Sequence, residues 1–272
     1  MVRTKPTPTD PKTDRQLWHR HLYLVLCQYW NGLSTAQKTQ WESDARRHHI
    51  TGFNYFLRTE LNKLENIALY LPLDEGTGSI ATDFSGNLHH GTIYGAQWTD
   101  GKFGKCLSFD GIDDRIEHGN ILNLNYPFSL EVWLNSTNTA ESYASFITKH
   151  QGGPTYHGYI LRFQGATRKP HLQIITPTGW AIIIADNPLS DNTWYHLLGT
   201  YDGTFLRLYV NGAPAATPVA FTQNLTVWGP TLYIGASSQG HFFPGRLDEA
   251  FIHTRTLTPA EVLLRYNRKA SP

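Results

Sequence analysis

The stretch Trp194-Tyr195-His196-Leu197-Leu198-Gly199-Thr200-Tyr201-Asp202-Gly203-Thr204-Phe205-Leu206-Arg207-Leu208-Tyr209-Val210-Asn211-Gly212 decides the fold. It reads as a strand, an Asp-Gly turn, a second strand and an Asn-Gly turn. Both dipeptides tolerate the positive φ angles of tight hairpins, so the register is set locally. Side chains alternate along a strand, which puts Leu206, Leu208 and Val210 on one face of the second arm and Phe205, Arg207 and Tyr209 on the other. The first arm is apolar or aromatic on both faces, which predicts a central strand covered on both sides. The stretch belongs to the middle of an all-β sandwich.

From Ala68 onward the flanking sequence has the same character: short strands separated by Gly, Asn, Asp and Pro, the spacing of a β-sandwich. Leu71-Pro72-Leu73-Asp74-Glu75-Gly76-Thr77-Gly78 leads into Asp83-Phe84-Ser85-Gly86-Asn87 and Gly91-Thr92-Ile93. Gly101-Lys102-Phe103-Gly104 runs on through Phe109-Asp110-Gly111 to Asp113-Asp114, and Phe128-Ser129-Leu130-Glu131-Val132-Trp133 follows. Beyond the hairpin come Leu232-Tyr233-Ile234-Gly235, Phe243-Pro244-Gly245-Arg246-Leu247-Asp248-Glu249 and Leu257-Thr258-Pro259-Ala260-Glu261. In this order the blocks resemble the LamG-like, concanavalin A-like lectin/glucanase superfamily over residues 68–268. The resemblance implies a mainly β fold, a two-sheet antiparallel jelly-roll, used as a binding module for glycans or proteins and often holding a structural calcium.

Calcium takes six to eight oxygens, and the turn Asp83-x-Ser85-x-Asn87 offers several at once. It is not an EF-hand, because Leu88 stands at the required glycine and Tyr94 at the bidentate glutamate. The family resemblance implies that Asp83 meets Asp248 at one calcium, with Asn87 as a third ligand. The alternative is that Asp83 and Asn87 are Asx-turn residues bonding their own backbone.

Glycan recognition needs aromatic platforms and a few polar groups in exposed loops. The candidates are Tyr156, His157 and Tyr159 after Gly152-Gly153, then Trp180, Trp228, His241 and Phe242, with Arg162, Arg168 and Gln173 as hydrogen-bonding partners. Aromatics at strand ends also plug sandwiches, and Trp133 and Trp194, inside strand patterns, are expected in the core. Glucanases of this fold carry two glutamates around an aspartate at alternating positions. Glu131-Val132-Trp133-Leu134 and Asp248-Glu249-Ala250-Phe251 lack that spacing, so no catalytic residues are assigned and the chain is not expected to be an enzyme.

Before residue 67 the pattern is helical. Residues 1–12, rich in Pro and Thr, form an extended arm, and 13–66 form a docking module of three helices, with Ser34-Thr35-Ala36-Gln37 as a capping box and Thr51 as a further cap. Trp30 to Ala45 and Thr51 to Phe56 resemble part of an HMG-box-like fold and the helical modules on structural proteins of prokaryotic viruses. Residues 1–67 hold ten Lys and Arg against six acidic residues, while the whole chain has net charge +1. Glu42, Asp44, Glu60 and Glu65 interrupt the basic face, so nucleic acid is not the expected partner. Cys27 and Cys106 fall in different modules and are read as separate thiols. With no secretory signal and no apolar run long enough for a bilayer, the expectation is a recognition module on a virion surface, held to other subunits by its helices.

Overall fold

The computed structural model describes residues 27, 30–56, 66–125, 127–137, 143–151, 157–223, 225 and 229–267. The expected arm and most of the first and third helices lie outside these residues. Ser34 caps the helix Thr35–Ala45: its hydroxyl accepts from the Gln37 amide, and the Gln37 side chain accepts from the Ser34 amide. Thr51 accepts from the Asn54 amide at 3.2 Å and opens a helical turn over 52–56. Phe56 is the buried centre of a small cluster with Trp30, Leu33, Trp41 and Phe53.

The strands are, in order, β1 (Ile67–Leu71), β2 (Ile80–Ala81), β3 (Gly91–Tyr94), β4 (Gln97–Asp100), β5 (Lys105–Asp110) and β6 (Arg115–Glu117). β7 (Phe128–Ser136), β8 (Ser145–Gln151), β9 (His157–Phe163), β10 (Pro170–Thr176) and β11 (Gly179–Ile184) follow. The chain continues through β12 (Trp194–Tyr201), β13 (Phe205–Val210), β14 (Ala213–Pro214), β15 (Val219–Ala220), β16 (Tyr233–Ile234) and β17 (Pro244–His253). Sheet A has the order β14-β13-β12-β7-β17-β5-β4, with β1 also on β17 and β15 on β13; sheet B has the order β11-β10-β9-β8-β16-β6-β3-β2. Neighbouring strands are antiparallel, and the two sheets form the expected sandwich.

The hairpin sits where its sequence puts it. Tyr201 pairs with Leu206, and the Asp202 carboxylate closes the turn by accepting from the Thr204 and Phe205 amides at 2.8 and 2.7 Å. Asn211 and Gly212 have φ of 51° and 78°, a two-residue turn of the I′ kind joining Val210 to Ala213. A Cβ on Gly212 would also stand 3.1 Å from Leu263 and Tyr266, so the site demands glycine for conformation and for space. β12 lies between β13 and β7, with Leu197 facing sheet B and Leu198 facing outward under the helix Pro259–Tyr266.

That helix covers the outer face of sheet A. Val262 packs with Leu198, Tyr209 and Leu257, and Tyr266 stacks on Trp133 with centroids 5.9 Å apart. Trp133 is therefore buried as expected, but beneath the helix and not between the sheets. Trp194 is only half-buried, with the Arg246 guanidinium over its ring. Glu131 lies under the same cover, its Oε1 2.9 Å from His196 Nε2 and its Oε2 bonded to Arg265 Nε, with His253 Nε2 at 3.4 Å. Burial alone would raise its pKa, but Arg265, His196 and His253 hold it well below the usual carboxylate range.

Burial sets the acid response. It lowers His118, His150 and His253 to about 4 and His171 to about 3, so these rings are neutral in the fold and charged in the unfolded chain below about pH 6.5. Their contribution to stability is present at neutral pH and lost as pH falls from about 6.5 towards 4, and that of Glu131 is lost further down. Asp248, raised to about 8, and Asp114, also raised by burial, oppose this in part, since their protonated native forms favour low pH. Urea unfolding is expected to show a loss on the order of several kcal/mol between pH 7 and pH 4.5; a midpoint that holds over that range would contradict the buried neutral imidazoles.

Candidate functional site

The expected calcium ligands are engaged by separate backbone groups. Asp83 is buried, with Oδ1 accepting from the Tyr70 and Ser85 amides (3.0 and 2.8 Å) and Oδ2 from the Ser85 hydroxyl and the His89 amide (2.8 and 2.9 Å). Four donors use the capacity of the carboxylate. Asn87 aims its amide NH₂ at the carbonyls of Ile67 and Ala68 (3.0 and 3.2 Å), and His89 Nδ1 lies 3.0 Å from the same Ala68 carbonyl. Asp248 stands on β17 opposite Trp133 and accepts at Oδ2 from the Lys102 and Phe103 amides at 2.8 and 2.9 Å. Burial, then the neighbouring Glu249, raises its pKa to about 8, and its Oδ1 has no partner. Asp83 and Asp248 share no hydrogen-bonding partner.

The three residues thus do not fit a calcium cage, and the Asx-turn alternative describes Asp83. Among the described residues, the acidic or imidazole groups whose ligand atoms all lie within 4.8 Å of one another are Asp110, Asp113 and Asp114. There the carboxylates serve the turn: Asp110 Oδ1 accepts from the Ile112 and Asp113 amides, and Asp114 Oδ2 accepts from the Asp110 amide. A chelator is expected to leave the thermal midpoint unchanged, whereas Asp83→Ala should cost at least ~2 kcal/mol with or without calcium, through donors left unpaired in the interior. A chelator-induced drop of several degrees would restore the metal.

The aromatic candidates separate by strand parity. Tyr159 points inward from β9, is 0% exposed and donates its hydroxyl to the Leu122 carbonyl at 3.1 Å, and His157 on the same side is also buried. Neither is offered to a ligand, a correction to the loop reading that follows from β9 beginning at His157. Tyr156 and Trp228 lie outside the described residues. Phe242 is half-buried, while Phe243 beside it is in the core. Arg168 is bound to Asp191 at 2.6 Å and to the Leu189 and Thr137 carbonyls, which makes it a loop clamp.

Trp180, Arg162 and Gln173 remain on the outer face of sheet B, with His241 of the segment before β17 against Tyr143. The inward row of β9 and β10 is Tyr159, Leu161, Phe163, Leu172 and Ile174, all core, so the residues between them face outward. One line of partnered residues crosses the sheet from Ile80 through Glu117, Tyr233, Thr148 and Gln173 to Ile182. Beside it run the lines Ser145–Arg162–His171–Ile184 and His150–Gly158–Ile175–Trp180. Trp180 is 64% exposed at the end of the second, flanked by Ile175 and Ile182. Gly158 has φ 136°, and a Cβ there would lie 2.1 Å from the Lys149 carbonyl and against His150, so the face stays bare at this point.

Arg162 is the polar centre of this half of the face. Its guanidinium lies 4.7 Å from the Tyr143 ring centroid, and its Nε donates to His171 Nε2 at 3.3 Å. Tyr143 in turn meets the His241 ring at 5.3 Å. Burial lowers the Arg162 pKa, and burial together with the Arg162 charge lowers those of His150 and His171. Tyr143, His150 and His171 were not anticipated from the sequence; the alternation of β8 to β10 was the signal that could have placed the two histidines beside Arg162.

Solved structures with this fold include domain 4 of AbnA, a GH43 extracellular arabinanase from Geobacillus stearothermophilus, in complex with arabinotriose. It aligns at TM-score 0.62 and 21% identity, covering 73% of this chain and 97% of that domain. The binding domain of Paraclostridial Mosquitocidal Protein 1 aligns at TM-score 0.61 and 17% identity, over 75% of this chain and 52% of that one. The botulinum neurotoxin serotype D ligand binding domain, in complex with N-acetylneuraminic acid, aligns at 0.58 and 14% identity, over 76% and 52%. The chain thus spans about half of each toxin domain, and at these identities the likeness is one of fold. No curated protein matches the chain. A family profile matches residues 110–263, more than half of the sequence and including the hairpin, and the chain belongs to the concanavalin A-like lectin/glucanases superfamily.

Proposed function

We propose that the jelly-roll is a non-catalytic recognition module that binds a glycan on the outer face of sheet B, with Trp180 as its stacking platform. The observation that carries this reading is the exposure of Trp180 in line with an apolar strip (Ile175, Ile182), with the polar Gln173 diagonal to it and Arg162 further along the same outward face. An indole face edged by a few hydrogen-bonding side chains is the chemistry a sugar ring needs. Two domains of the same fold, those of the arabinanase and of the neurotoxin, are named with bound sugars. The reading as a non-enzyme rests on the carboxylates: Glu131 is consumed by two histidines and an arginine, away from this face, and the carboxylate triplet of glucanases is missing.

The helical segment supports a second element of the proposal, docking to a larger assembly. Its aromatic cluster is centred on Phe56 and separate from the sandwich core, and so small a core gains stability from a partner surface. Deleting residues 1–66 should leave a folded, sugar-binding β domain that no longer associates, as read by sedimentation; association of the truncated protein would refute the docking role. For the binding face, Trp180→Ala should weaken glycan binding on an array about tenfold or more without moving the thermal midpoint. Undiminished binding would remove Trp180 and this face from the proposal.

A further inference from the structure

We infer that the ligand of this face is anionic, a glycan whose carboxylate or sulfate group is seated on the Arg162 guanidinium beside Tyr143 and His171. The inference rests on the reading of the outer face of sheet B as the binding face, and it names the class of ligand.

The first observation is a missing counter-ion. Arg115, Arg168, Arg207, Arg255 and Arg265 are each paired with a carboxylate. Arg162 is half-buried, and among the described residues it has no carboxylate partner and one hydrogen bond, from Nε to His171. A guanidinium has five N–H donors in a planar fork matched to carboxylate and sulfate oxygens. Burying one without an anion costs desolvation that the Tyr143 ring and the single bond to His171 repay only in part.

The second observation is a set of donors without acceptors. Arginine cannot accept a hydrogen bond, so the bond to His171 Nε2 makes that nitrogen the acceptor and puts the ring proton of neutral His171 on Nδ1. His171 is 0% exposed and its Nδ1 has no partner. The Nδ1 of buried His150 has none either. The described groups around Arg162 are these two imidazoles, Tyr143 and, behind Tyr143, His241; none carries negative charge at neutral pH. Because burial keeps His150 at about 4 and His171 at about 3, the local charge at pH 7 is that of Arg162. A site with one fixed cation, the unpaired buried N–H of His171 and an exposed indole further along the same face suits an acidic sugar better than a neutral one. A metal ion would be repelled by the guanidinium at its centre.

The test is a glycan array carrying uronate, sialylated and sulfated glycans beside their neutral counterparts, read with the full chain and four variants. The inference predicts binding to acidic members at least tenfold tighter than to their neutral counterparts, weakening with added salt. Arg162→Gln should abolish that preference, Arg162→Lys should keep part of it, and Arg246→Gln, which removes a cation from sheet A, should leave it intact. Trp180→Ala should weaken all binding. Thermal melts identify any variant that fails to fold, and Arg162→Lys keeps the charge if the Gln variant does. Equal binding of neutral and acidic glycans that is lost in Trp180→Ala would overturn the anionic ligand and leave the binding face standing. Acidic binding indifferent to both Arg162→Gln and Trp180→Ala, or no binding at all, would overturn both.

Discussion

A carboxylate buried in the outer layer of sheet A holds the architecture in its present form. Glu131 sits on β7, the strand between β12 and β17, and its charge is tolerable inside only because His196, His253 and Arg265 reach it from three different segments. Arg265 comes from the C-terminal helix, so the ion pair and the packing of Val262 and Tyr266 are one act of docking. The same cover explains why β12 is apolar on both faces. The centre of sheet A is thereby covered on both sides, whereas the outer face of sheet B is exposed at Trp180 and half-buried at Arg162, Gln173, Ile175 and Ile182.

How much of this was legible in the sequence depended on whether the signal was local. The Asp202-Gly203 and Asn211-Gly212 turns, the Ser34 capping box and the two-faced strand β12 were readable because a few adjacent residues carry their own geometry. The calcium triad joined Asp83 and Asp248 by family resemblance across 165 positions (248 less 83), and the structure shows each carboxylate answering to different amide groups. Trp133 was correctly buried but in the wrong layer, since periodicity tells that a face is covered and not by what. For the binding face, Trp180, His241, Arg162 and Gln173 were named as loop residues or helpers. That Trp180, Arg162 and Gln173 share one outward face is a property of strand parity and pairing across β9 to β11, which composition does not reveal, and the same parity turned His157 and Tyr159 inward.

The two sheets therefore divide the chemistry. Sheet A meets the charge of Glu131 internally, through Arg265, His196 and His253. Sheet B leaves part of its polar inventory unspent, in half-buried Arg162 and in the buried Nδ1 of His171 beside it, on the same outward face as an exposed indole. Lys149 shows the contrast within sheet B itself: it points inward, and its ammonium is taken up by the Asn120 side chain and the Pro230 carbonyl, with burial lowering its pKa to about 8. Unpaired polarity on the outer face is thus not a general laxity of this sheet.

The position of β17 has a consequence for how the chain acquires its shape. This strand is the last of the described strands in sequence, yet in space it stands in the middle of sheet A, bonded to β7, β5 and β1. A chain emerging from the ribosome in order would present β1, β5 and β7 with an empty slot between them, and Glu131 would wait without its arginine. Neither the hydrogen-bond ladder nor the buried charge is complete until residues 244–266 arrive, so the sandwich closes in one late step across long sequence separations, the situation that makes folding slow and exposes unpaired edges on the way.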